Sequence, residues 1–143
     1  MLGLFYKDKL VQVAGWGKSR FKKGEIELHR MGTLLNTQVV GGFSKLIKHS
    51  DIEEFVSYVD RSLYSGKGYF SVGFQFLNFT PPSYFYSNAS GKRINRISTQ
   101  KHKLPKLLEK FDPSLTELQN MNNNHYWRIY DCGTIKMKYF KKN

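Results

Sequence analysis

Two adjacent glycines, Gly41-Gly42, constrain this 143-residue chain more than any other neighbours in it. They sit in the string NTQVVGGFSKLIK, residues 36–48, where a polar turn meets a short apolar pattern of helical spacing. A glycine turn that opens a helix forces a tight strand-to-helix reversal. It also leaves backbone N–H groups and the positive helix end facing outward, a cradle suited to phosphate. A second segment, YVDRSLYSGKGYFSVGFQF at residues 58–76, places Tyr69 just before Gly73-Phe74. A tyrosine held beside such a cradle can donate a proton to a departing group.

The chain is long enough for one domain with a real core. Its nine Tyr, eleven Phe and two Trp argue against disorder. No apolar run is long enough to span a bilayer, and no leader-like segment opens the sequence, so no membrane association and a cytoplasmic location (a host cytoplasm for a viral protein) are the expectation. Cys132 is the single cysteine, which excludes an intrachain disulfide and a Cys-rich zinc site. The four histidines show no short metal-ligand spacing, so no metal is expected.

The net charge is +12. Residues 1–86 carry 11 basic and 7 acidic groups and residues 87–143 carry 12 and 4, so the second part is the more basic. Between Asn88 and Leu108 there is no acidic residue. That stretch holds Lys92, Arg93, Arg96, Lys101, His102, Lys103 and Lys106 and follows Tyr84, Phe85 and Tyr86. Cations can neutralise phosphates while aromatic faces stack on bases, so nucleic acid, DNA foremost, is the expected partner. Arg61 and Lys67, near the middle of the chain, are further candidates for phosphate contact.

Residues 2–6 and 10–15 read as a hairpin through Lys7-Asp8-Lys9, and the basic, glycine-bounded residues 16–24 as a loop. Residues 25–35 alternate, with Ile26 and Leu28 on one side and Glu25, Glu27 and His29 on the other, which predicts a third strand with one polar face. Residues 43–49 predict a short helix, and residues 55–59, 73–79 and 84–86 predict strands, with Gly66-Lys67-Gly68 in a loop. Beyond about residue 90 the pattern gives a short helix at 104–111 and another begun by Ser114 or Thr116. Residues 126–131 and 134–140 then read as a terminal hairpin through Cys132-Gly133. The expected class is α+β: a mostly antiparallel twisted sheet with few helices in residues 1–90, and a basic helical and hairpin extension, residues 91–143, packed on the same domain.

The order of hairpin, strand, glycine turn, helix, strand and Tyr-containing segment resembles the GNAT (Gcn5-related) N-acyltransferases. That family binds the acetyl-CoA pyrophosphate with Q/R-x-x-G-x-G/A. Here Gln38-Val39-Val40-Gly41-Gly42-Phe43 keeps the Gln and the first Gly, with Phe43 in place of a small residue. Tyr69-Phe70-Ser71-Val72-Gly73-Phe74 is similar to the family's Y-x-K-x-G-F, with Ser71 for the basic residue. Longer strings, among them LLNTQVVGGFSKL, PPSYFY, QKHKLPKLLEKFDPSLTE and YWRIYDCG, resemble a domain of bacteriophage homing-endonuclease-like proteins, without their nuclease part. Phage Mom-type DNA-modification proteins are similar in pattern only. The chain begins at the hairpin, where a full GNAT fold has earlier elements on the acceptor side. An N-terminally truncated fold is therefore expected, completed by a partner protein or a second copy.

The resemblance implies acetyl-CoA or another acyl-CoA as cofactor, held by residues 38–45 with Ser44 and Lys45 adding side-chain contacts. The thioester would lie along a splayed strand pair, Tyr69 would protonate the departing thiolate, and Glu27 or His29 would supply the base. Asp60 would orient the acceptor amine. A base amine inside a duplex would first have to be flipped out. The alternative is a DNA-binding or assembly module that keeps the fold without the chemistry. Protein acetylation finds no positive argument in the sequence.

Overall fold

The computed structural model describes residues 1–141. In chain order the strands and helices are β1 (Leu2–Tyr6), β2 (Lys9–Lys18), β3 (Ile26–Thr33), α1 (Gly42–Lys48), β4 (Glu54–Asp60), α2 (Lys67–Ser71), β5 (Gln75–Phe79), β6 (Tyr84–Ser87), β7 (Arg93–Asn95), α3 (Leu104–Leu107), α4 (Glu117–Asn123), β8 (Trp127–Tyr130) and β9 (Thr134–Phe140). The protein is α+β, and its chain divides into two compact units. One comprises residues 1–80 together with 134–141 of the described chain; the other is residues 81–133. The compositional change near residue 90 is thus not where the units divide.

The first unit is built on a six-stranded, mostly antiparallel sheet in the order β1-β2-β3-β4-β9-β5. Lys7 and Asp8 both take positive φ, 46° and 60°, the backbone of a two-residue hairpin turn whose twist matches the strands it joins. Residues 16–18, expected in a loop, continue β2. A register shift between Gly15 and Trp16 hides the alternation from a simple period-2 reading, and Trp16 pairs with Leu28 and packs edge-on against Phe55 at 5.7 Å. Strand β3 is covered on both sides at its start: Glu27 and Leu28 are both buried, so the expected wholly polar face is not there.

Strands β3 and β4 are parallel, with α1 in the connection between them, and they share one ladder position, Glu27 opposite Val56. In β9 the residues Ile135, Met137 and Tyr139 are buried alternately, and the strand lies between β4 and β5. They join Phe55, Val59, Phe74, Leu46 and Ile47 in one core.

In the second unit, β7, β6 and β8 form a three-stranded antiparallel sheet. Tyr86, Ile94, Leu104, Leu108 and Met121 make its core. Helix α4 starts with a capping box: Gln119 N–H donates to the Thr116 hydroxyl at 3.2 Å and the Thr116 N–H to Gln119 Oε1 at 2.9 Å. The expected terminal hairpin does not form. Strand β8 pairs with β6 and β9 with β4 and β5. The reason is local: Asp131 Oδ1 accepts the N–H groups of both Ser83 and Gly133, at 2.7 and 2.8 Å, and Gly133 has a φ of 71°. The chain between the two strands is therefore anchored to the start of β6 rather than folded back on itself.

Candidate functional site

Just beyond the single paired position of β3 and β4, the first unit opens a cleft of about 620 Å³. His29, Arg30 and Met31 of β3, Tyr58, Val59 and Asp60 of β4, Phe43 of α1, and the Tyr64–Tyr69 segment line it. Such a volume lies within the usual range of small-molecule sites. Five residues singled out from the sequence, His29, Asp60, Phe43, Lys67 and Tyr69, meet here although they come from distant parts of the chain.

Lys67 and Gly68, expected in a loop, begin α2 together with Tyr69, because Gly66 adopts φ 77° and caps the helix. The Tyr69 ring is half-buried between Phe43 and Phe74, edge-on to each with centroids 5.1 Å apart. Asp60 ends β4, and its Oδ1 accepts both the N–H and the hydroxyl of Ser62, at 2.8 and 2.5 Å. This shapes the turn that carries the chain away from the strand. Arg61 stacks on Phe79, guanidinium carbon 4.3 Å from the ring centroid.

Glu27 stands apart from the cleft. Its side chain is 1% exposed, and Oε1 accepts from Arg20 Nη2 and Nε at 2.7 and 3.0 Å. The Arg20 backbone N–H reaches Oε2 at 3.1 Å. Burial pushes the Glu27 carboxyl up, but the Arg20 hydrogen bonds and charge outweigh it and hold the group below its ordinary 4.5. A buried carboxylate already committed to a guanidinium suits positioning rather than proton abstraction. His29 is the cleft-lining member of the pair. Its Nε2 lies 3.0 Å from the Lys18 carbonyl, which can only accept, so Nε2 carries the proton. In the neutral ring Nδ1, 4.0 Å from Glu27 Oε1, is then the nitrogen able to take one.

The residues of the glycine turn divide. Gln38, Val40, Gly41 and Lys45 are exposed, Val39 and Ser44 are half-buried, and of residues 38–45 only Phe43 lines the cleft. Gly41 has φ 69° and open space where a Cβ would point. Gly42 is closed in by Gln12 and by Val39, whose Cγ1 would lie 2.6 Å from a Cβ there. No side chain caps α1; the Gly42 N–H donates to the Val39 carbonyl at 3.2 Å, which leaves the amides of Phe43 and Ser44 as donors, and Lys45 adds a cation one turn on. These groups fit a phosphate-bearing ligand, but α1 has only seven residues and its dipole is correspondingly short.

The basic stretch belongs to the second unit. Arg93 lies over Phe85 at 4.7 Å and Arg96 over Tyr84 at 5.6 Å. Lys103 Nζ donates to the Ile97 carbonyl at 2.7 Å, while Lys92, Lys101, His102 and Lys106 are exposed. Arg128, not singled out from the sequence, is the internal cation of this unit. It donates to the Tyr86 hydroxyl at 2.8 Å and lies 4.3 Å from the Tyr84 ring centroid. Alternation in β8 was its only sequence signal, and an arginine between Trp127 and Ile129 reads as outward-facing.

Among the described residues no three His, Cys, Asp or Glu side chains gather as for a metal, and no helix is long and apolar enough to cross a membrane. No protein-family model matches the chain, and no curated protein sequence matches it.

Proposed function

We propose that the chain is a GNAT-like protein acting on or at nucleic acid, with the cleft beside β3 and β4 as the active site of an acyl-CoA-dependent N-acyltransferase. One observation carries this reading: a parallel strand pair, paired at a single position and linked through the glycine turn, leads into a cleft where His29, Asp60 and Tyr69 meet. Bound acyl-CoA would supply an activated thioester. Tyr69 is the proton donor on the α2 side, its hydroxyl giving a proton to the departing thiolate. His29 takes a proton at Nδ1, Glu27 holds Arg20 behind it, and Asp60 faces the acceptor amine. The amides of Phe43 and Ser44, with Lys45, would hold the pyrophosphate.

A second reading, a nucleic-acid-binding module without transfer chemistry, is favoured by the packing of Tyr69 between Phe43 and Phe74, the environment of an ordinary core aromatic. Calorimetric titration with acetyl-CoA separates the two. The transferase reading expects binding that Gly41→Glu abolishes and Gly41→Asn largely retains, since Asn tolerates the left-handed backbone and brings no charge. No binding at millimolar cofactor would leave the module.

A further inference from the structure

The small sheet of the second unit has two unlike faces. Tyr84, Tyr86, Ile94, Arg128 and Tyr130 alternate to one side, where Tyr86 and Ile94 are buried in the core of this unit. The other side carries Phe85, Ser87, Arg93, Asn95, Trp127 and Ile129. Trp127 is 51% and Ile129 44% exposed, Arg93 and Asn95 are exposed, and Phe85 is half-buried. Trp127, Ile129 and Phe85 therefore share one face as a contiguous, partly exposed apolar patch, the kind of surface that marks an interaction site.

We infer that this outer face is a stacking platform for single-stranded nucleic acid: Trp127 takes one base, and Arg93, which lies over the Phe85 ring at 4.7 Å, swings to a phosphate so that Phe85 takes a second. Phe85 is directly opposite Ile129 and Ser87 opposite Trp127, so Phe85 and Trp127 are diagonal neighbours, about 7–8 Å apart in such a ladder. That spacing suits two successive bases of an extended strand rather than the closed stack of a duplex, whose base faces are hidden. Asn95 spends its Oδ1 on the Ile97 N–H at 2.9 Å, so its NH₂ is the group turned to an acceptor.

Charge selects the occupant. Residues 81–133 hold eight basic and four acidic groups. Three of the four acids are engaged within the unit: Glu117 with Tyr84, Tyr86 and Arg128, Asp131 with Ser83 and Gly133, Asp112 with Ser114. None of the six outward residues is acidic. A second copy of the same face would meet it with like charge, whereas a polyanion with exposed rings complements both its cation and its aromatics.

The platform rests on the reading of nucleic acid as partner and is independent of the cofactor cleft. The test titrates the whole chain with an oligothymidylate of about 12 nucleotides, a length that covers one site, and with a duplex of equal length. The platform expects the single strand to bind more tightly and to quench tryptophan emission. Trp127→Phe removes the quenching but keeps most of the affinity. Trp127→Ala and Phe85→Leu weaken binding roughly five- to 150-fold, and Arg93→Gln lowers the salt slope by about one. Circular dichroism and melting temperature confirm that each variant is folded. Unchanged affinity in folded Trp127→Ala and Phe85→Leu, or equal duplex binding without quenching, overturns the platform and leaves a basic duplex-binding surface. No binding of either oligomer at low salt overturns the platform and the nucleic-acid reading together.

Discussion

Arg20 closes over Glu27 from a loop beyond β2, delivering three N–H groups to its two carboxylate oxygens at 2.7–3.1 Å. Arg20 is 60% exposed and Glu27 1%, so the pair is a lid of charge on a buried anion. Removing the guanidinium by Arg20→Ala leaves the buried carboxylate with the backbone N–H of residue 20 but no counter-charge, and is expected to cost about 2 kcal/mol in urea denaturation. Glu27→Gln, which needs no counter-charge, costs less. Because folding lowers the Glu27 pKa, its contribution is complete above the ordinary 4.5 and is lost as pH falls through the lower folded value. The stability gap between the parent chain and Arg20→Ala is therefore full at neutral pH and narrows as pH falls through that lower value, and a gap independent of pH would contradict the pairing.

Tyr69→Phe keeps the ring between Phe43 and Phe74 and removes only the hydroxyl. Stability is expected to change little, and acetyl-CoA affinity to stay within about threefold. Transfer to an amine acceptor should fall by about 10²-fold or more, the usual worth of a general acid. Equal rates in the two proteins would remove Tyr69 from the chemistry.

Gly66 begins α2 with φ 77°, and a Cβ there would come within 2.7 Å of the Met137 methyl and 3.3 Å of the Phe70 ring. Gly66→Ala is expected to destabilise by about 1–2 kcal/mol from the left-handed backbone alone. It should also weaken any ligand of the cleft, since Gly66 and Tyr69 both line it. Thermal denaturation and the acetyl-CoA titration read the two effects separately.

Tyr86 is fully buried, and its phenol is pushed up to about 12, by burial first and by the nearby Glu117, against the opposing pull of Arg128. Folding favours the neutral phenol, so its contribution is complete below about 10 and declines as pH rises through about 12. Unfolding of the second unit, followed by Trp127 emission, should steepen over that range. In Tyr86→Phe the same range should be flatter, on a baseline lowered by about 1–2 kcal/mol for the lost hydrogen bonds.

Local chemistry made much of this fold readable. Lys7-Asp8 marks its turn, Ser114 and Thr116 are the two cap candidates of which Thr116 starts α4, and the apolar spacing of Phe43, Leu46 and Ile47 predicts α1 almost to the residue. Three residues of the cleft carry a local signal: Asp60 ends a strand, Tyr69 follows a glycine, and His29 alternates with Glu27 on β3. Their meeting depends on how β3 and β4 part, which no local pattern encodes. Glu27 and His29 alternate alike on one strand, yet Arg20, seven positions away, takes one and leaves the other to the cleft. Strand β9 stands where the sequence predicts it but pairs elsewhere, because a short glycine link beside two strand-like runs is the ordinary sign of a hairpin. The hydrogen bonds of Asp131 to Ser83 and Gly133, across nearly fifty residues in the first case, are invisible to such a reading.

Strand β9 lies between β4 and β5, and Thr80 and Thr134 are joined by an N–H to carbonyl bond of 2.9 Å. Strands β4 and β5 therefore remain without the strand that lies between them until residues 134–140 arrive, with all of the second unit made in the interval. During synthesis β4 and β5 would wait with unpaired edges, so the order of assembly places the small unit ahead of the sheet it interrupts, and slow, late closure is the kinetic signature of this topology.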